Sequence, residues 1–153
     1  MKLIPLPALV LTALGGLPFF IGTLASHGVN FGLPIEPFEG RWIVYFYGAV
    51  ILSFMGGVLW GFAAQAGHAN DWGLLILSVL PALWAFGTVL FAIYLEPATL
   101  RASFYMMAAG FALILVLDWY FHARKLAPDW WLTLRISITF FVVISFLWTA
   151  SDV

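Results

Sequence analysis

The sequence contains no cysteine. That absence removes disulfides, thiolate zinc sites, thiol redox chemistry and cysteine nucleophiles together. Charge is almost as scarce: Asp, Glu, Lys and Arg make up 8% of the chain, where a soluble domain carries roughly a quarter. So few charges cannot cover a water-facing surface on 153 residues, and lipid must take that place. The formal net charge is −1 and the six Lys and Arg are scattered, which excludes the basic stripe that nucleic acid requires. A glycine-rich phosphate loop, a G-x-S-x-G turn and an H-E-x-x-H helix are all missing. The three histidines, His27, His68 and His122, do not fall at one depth on facing helices, so paired ligation of a haem or chlorophyll is not expected. No catalytic, metal or cofactor site is expected, and the chain reads as a non-enzyme.

What is present is apolar. Hydrophobic residues make up 64% of the chain, and five runs reach the ~20 residues needed to cross ~30 Å of hydrocarbon. They cover about 4–26, 42–64, 72–95, 102–121 and 131–150. The first is too long for the apolar core of a signal peptide and holds Pro5, Pro7 and Pro18, so it reads as a span. In lipid only a helix or a closed barrel satisfies every backbone group. A barrel would alternate polar and apolar residues over ~10-residue segments, and no stretch here does so. The expected fold is all-α: one polytopic transmembrane helical bundle with five spans, occupying 1–153 as a single domain. Short connections at 65–71, 96–101 and 122–130 make successive helices antiparallel neighbours.

Lys and Arg in short loops set the orientation. One side holds Lys2, Arg124 and Lys125, with Arg135 nearby; the other holds Arg41 and Arg101 among Glu36, Glu39, Glu96 and Asp152. This bias predicts the N-terminus in and the C-terminus out. Trp42, Tyr45, Trp60, Trp72, Tyr94, Trp119, Tyr120, Trp130, Trp131 and Trp148 fall near span ends, where Trp and Tyr anchor helices at the membrane surface.

Three features within the spans bear on function. The second span carries Ala49, Ser53, Gly57 and Gly61 at four-residue spacing, with Gly56 beside them. Residues four apart share a helix face, and small ones there let another backbone approach. The stripe predicts helix packing within the bundle or a face for a partner. Pro81, inside the third span, removes one backbone bond and predicts a bend near Ser78. Asp118 near the end of the fourth span and Arg135 near the start of the fifth lie at similar depth in an antiparallel hairpin. Charges in hydrocarbon face the bundle and find partners, so an intramembrane ion pair is expected, with His122 on the same face as Asp118.

Two stretches carry a resemblance. Tyr47 to Gly61 reads YGAVILSFMGGVLWG; Asp118 to Thr139 has an acid, a basic loop, then Ala127-Pro128-Asp129-Trp130-Trp131, Leu134-Arg135 and Thr139. From Tyr47 onward the chain resembles the domain of unknown function 3429 family, which includes transmembrane protein 69-like small membrane proteins. The resemblance implies a multi-span protein of the bacterial or mitochondrial inner membrane. It implies no substrate, cofactor or reaction. At Leu59 the chain departs from the polar residue, often His or Arg, that the resemblance implies at that position.

Together these features point to an integral protein of the bacterial cytoplasmic (inner) membrane. The expected role is an accessory or structural subunit of a larger respiratory or photosynthetic type of assembly, with membrane lipids and other membrane-protein subunits as partners. The alternative is a small proton, ion or solute carrier working through Asp118 and Arg135.

Overall fold

The computed structural model describes residues 3–30, 32, 34–94 and 97–153, without the side chains of 94, 97 and 98. Lys2 and Glu96, used above for orientation, and the side chain of Tyr94 lie outside the described residues. The fold is all-helical, with five helices each long and apolar enough to span a membrane. They are α1 (Leu6–Ser26), α2 (Pro37–Gln65), α3 (Trp72–Tyr94), α4 (Pro97–Ala123) and α5 (Trp131–Ala150).

Two helices start earlier than their apolar runs, at Pro37 rather than Trp42 and at Pro97 rather than residue 102. Proline suits the first turn of a helix, where its missing N–H has no intrahelical role. At α2 the entry is further fixed by a capping box: the Glu36 side chain accepts from the backbone of Glu39, and the Glu36 N–H donates to Glu39 Oε2 at 3.1 Å. This satisfies donors that the first turn leaves open. The 29 residues of α2 rise about 43 Å at 1.5 Å each, enough to cross the hydrocarbon and reach into both headgroup layers.

Helix α2 is the centre of the bundle and touches the other four. The core is aromatic: Phe19 of α1, Tyr45 of α2, Phe104 and Phe111 of α4 and Phe146 of α5 are all buried. Phe146 lies 5.7 to 6.0 Å, centroid to centroid, from Phe19, Phe104 and Phe111, so one ring ties three helices together. Tyr45 was expected at the membrane surface. It is instead fully buried and donates its hydroxyl to the Thr88 carbonyl at 2.6 Å, which gives its polar tip a partner between α2 and α3.

Glycine sets the closest helix approaches. A Cβ at Gly40 would lie 2.5 Å from the Ser26 backbone nitrogen, and one at Gly56 would lie 2.5 Å from the Ser78 carbonyl oxygen. Gly40 therefore sets the α1–α2 separation and Gly56 the α2–α3 separation. Helix α3 stays helical through Pro81, whose ring packs on the same side as Gly56.

The two ends of the bundle differ. At the end where α1, α3 and α5 begin, Lys125 takes a left-handed φ of 59° and turns the chain from α4 into α5. At the other end Arg41 of α2 pairs with Asp152 at 2.9 Å. Arg101 of α4 donates from Nε and Nη2 to the Val153 main-chain oxygen. The residues after α5 are thereby tied to α2 and α4.

Candidate functional site

The α4–α5 hairpin places Asp118, one turn before the end of α4, against Arg135, one turn into α5. Both are inside the bundle, with 1% and 4% of their surface exposed. Arg135 Nε–H donates to Asp118 Oδ2 at 2.7 Å, and Trp131 Nε1–H donates to Asp118 Oδ1 at 2.7 Å. Each carboxylate oxygen thus has a donor, and the guanidinium cancels the charge. Phe62 of α2 meets the Trp131 ring edge-on at 5.2 Å and fixes its plane. The Arg135 guanidinium lies 5.9 Å from that ring's centroid, close enough for a cation–π contact. Three side chains and a supporting ring therefore make one closed unit at the start of α5.

The unit is not fully satisfied. Arg135 Nη2 is buried and has no hydrogen-bond partner among the described residues, and the same holds for Thr139 Oγ1. Arg135 and Thr139 are four apart on α5 and so share a helix face. Buried polar atoms are normally hydrogen-bonded, and two such exceptions on adjacent turns are unusual. His122, one turn beyond Asp118, is half-buried with a buried Nδ1 that has no partner among the described residues. It takes no part in the hydrogen bonds to Asp118 described above.

The small residues of α2 divide. Gly56 packs against α3, whereas Gly57 and Gly61 are exposed, and a Cβ at either would meet nothing within 4 Å among the described residues. Of the two readings of the stripe, packing inside the bundle or a face for a partner, Gly57 and Gly61 do not take the first. The buried face of α2 runs instead through Gly48, Leu52, Gly56, Leu59 and Ala63, one step round the helix. Ala49 and Ser53 are half-buried at its margin, and the Ser53 hydroxyl donates to the Ala49 carbonyl at 2.8 Å. Leu59 is fully buried in the apolar core, with no polar function to offer. Among the described residues no three His, Asp or Glu side chains gather into a set able to hold a metal ion.

Trp131 is the site residue that the sequence did not single out. Its position at a span end reads as a membrane-surface anchor, yet its indole holds Asp118. The available signal was distance along the helix: Trp131 precedes Arg135 by four residues and so shares its face.

Transmembrane protein 69 of Xenopus tropicalis is 34% identical over 146 residues, covering 92% of this chain and 52% of that protein. The Mus musculus protein of the same name is 31% identical over 150 residues, covering 95% and 56% respectively. The chain thus spans about half the length of the curated relatives it matches. No solved structure matches it. The family match is wider than the resemblance read from Tyr47 onward, because it takes in α1 and the connection to α2. With residues 4–151 matching the protein family of unknown function DUF3429, the chain belongs to that family.

Proposed function

We propose that this integral membrane protein is a non-catalytic accessory or structural subunit of a larger assembly in the bacterial cytoplasmic membrane, of respiratory or photosynthetic type. The observation that carries this reading is the open strip at Gly57 and Gly61. A glycine inside a helix costs roughly 1 kcal/mol relative to alanine, and among the described residues nothing lies within 4 Å of where a Cβ at either would sit. Small residues four apart on a lipid-facing helix allow a second helix to approach to backbone contact. Asp118, by contrast, is bound up in a tie between α4 and α5, and Arg41 and Arg101 hold the residues after α5.

The test is cross-linking in native membranes followed by native electrophoresis. Wild type is expected in a discrete species larger than the monomer, and Gly57→Leu with Gly61→Leu to shift it to the monomer. A monomer in wild type, or a larger species unchanged by both substitutions, overturns the reading. The carrier alternative draws on the unpartnered Arg135 Nη2 beside Asp118. Proton and anion fluxes in proteoliposomes that are the same with and without Asp118→Asn exclude it.

A further inference from the structure

Beside the Asp118–Arg135–Trp131 unit a cleft of about 270 Å³ opens between α1, α2 and α5. Its walls are apolar except at Thr12 of α1 and at Trp131, Arg135 and Thr139 of α5, with Ile51 and Met55 of α2 among the rest. Two of these polar residues, Arg135 and Thr139, carry buried atoms without partners among the described residues, Nη2 and Oγ1, while the Trp131 N–H is taken by Asp118. Leu11 and Phe54, which also line the cleft, are 68% and 60% exposed. Exposed apolar side chains in the middle of spanning helices face lipid, so the mouth opens sideways into the bilayer.

From this geometry we infer that the cleft binds an apolar molecule bearing a hydrogen-bond-accepting carbonyl, taken from the membrane and held at Arg135 Nη2 and Thr139 Oγ1. Four points select that chemistry. The guanidinium has donors only, so its partner must be an acceptor. Asp118 already neutralises it, so an anionic acceptor would leave an unbalanced charge in a low-dielectric site, whereas a neutral carbonyl does not. Apart from the Thr12 hydroxyl the rest of the lining is apolar, which gives too few polar groups for a sugar or a peptide. An apolar cavity of about 150 Å³ accepts benzene, so this cleft has room for a substituted ring or a folded acyl segment.

Both polar atoms are closed off from solvent, so a ligand reaches them by moving a side chain. Met55 lines the same cleft, and an unbranched thioether changes rotamer at low cost. A ring ketone such as a quinone and an acyl ester of a lipid present the same acceptor. The assay below separates them. A trapped water is the competing occupant, since it too can bridge two polar atoms. Gly57 and Gly61 do not line the cleft, and the labelling below reads a bound ligand rather than an assembly, so its failure is distinguishable from that of the subunit reading.

The test uses the full chain, purified in mild detergent and labelled with 4-decylbenzophenone, whose carbonyl is both the acceptor and the photoreactive group. Peptide mass spectrometry is expected to place the adduct on cleft residues, with Met55 or Ile138 foremost. Decyl-1,4-benzoquinone or ethyl decanoate is expected to displace the probe, and the stronger competitor identifies a ring ketone or an acyl ester as the native class. Decylbenzene, of similar shape without oxygen, is expected not to compete. Thr139→Val is expected to weaken labelling roughly three- to tenfold, as for the loss of one neutral hydrogen bond, while its unfolding temperature stays that of wild type because Oγ1 has no partner to lose. Gly57→Leu, outside the cleft, is expected to label as wild type does. Arg135 is left intact because its removal would strand Asp118. Label spread along the lipid-facing residues overturns the inference. Equal competition by decylbenzene does so too, as does undiminished labelling of Thr139→Val, the result expected if only water occupies the cleft.

Discussion

At the scale of single residues, the Asp118–Arg135 pair shows how a charge is kept inside a membrane bundle. Taking either ion out of water costs several kcal/mol, and attraction in the interior repays this only with good geometry and satisfied lone pairs. Here both carboxylate oxygens have donors at 2.7 Å. Losing one partner is therefore costly while losing both is not. Arg135→Leu should destabilise the fold by about 3–5 kcal/mol, because Asp118 is left buried with only the Trp131 N–H. Asp118→Leu combined with Arg135→Leu should recover most of that loss, since apolar side chains of similar volume often replace a buried pair without cost. Thermal unfolding in detergent of the single and double variants measures both. A double variant as unstable as the single one would show that packing, not charge, governs the site. The two charges were legible in the sequence because a short hairpin puts them at matching depth. Trp131 was not, because a tryptophan at a span end has an ordinary explanation at the membrane surface.

At the scale of helices, length was legible and rotation was not. Long apolar runs identify all five helices, because the bilayer demands them whatever their packing. The buried face is another matter. A helix that is apolar all round carries no period to read, so the stripe at Ala49, Ser53, Gly57 and Gly61 looked as good a packing face as any. The buried face lies one residue away, through Gly48, Leu52 and Gly56. What distinguishes Gly56 from Gly57 is the Ser78 carbonyl on α3, and no local sequence pattern encodes that contact. The difference is measurable. Gly56→Leu drives a side chain into a backbone carbonyl and should cost about 1–3 kcal/mol or more by overpacking. Gly57→Leu, in open space, should cost nothing and should gain up to roughly 1 kcal/mol of monomer stability by removing a helix-interior glycine. Unfolding of the two variants as detergent-solubilised monomers decides it: equal losses would mean that α2 is rotated from the orientation described.

At the scale of the whole molecule, the few charges gather at the two ends of the bundle, and it is the Lys and Arg in the short loops that bear on orientation. Arg124 and Lys125 follow α4 at one end, with Asp71 and Asp129 in the loops beside them, while Glu36, Glu39 and Asp152 accompany Arg41 and Arg101 at the other. Lys and Arg in short loops favour the cytoplasmic side, so the proposed orientation puts the α4–α5 turn inside and the residues after α5 outside. Arginine is present at both ends, but Arg41 is paired with Asp152 and Arg101 with the Val153 main-chain oxygen. Their positive charge is held against the protein, whereas Lys125 is exposed in its loop. The absence of cysteine turns this into a direct experiment, because any single cysteine introduced is the only one to react. Lys125→Cys removes a topology signal together with the residue it reports on, so the inner reporter is Ala123→Cys, at the exposed end of α4. Ser151→Cys, exposed just beyond α5, reports the other end. In intact cells a membrane-impermeant maleimide is expected to label Ser151→Cys and to leave Ala123→Cys untouched until the membrane is opened. The reverse pattern would place the α4–α5 turn outside and the Asp118–Arg135 cleft in the outer half of the bilayer. A lipid-soluble ligand would then enter that cleft from the opposite leaflet.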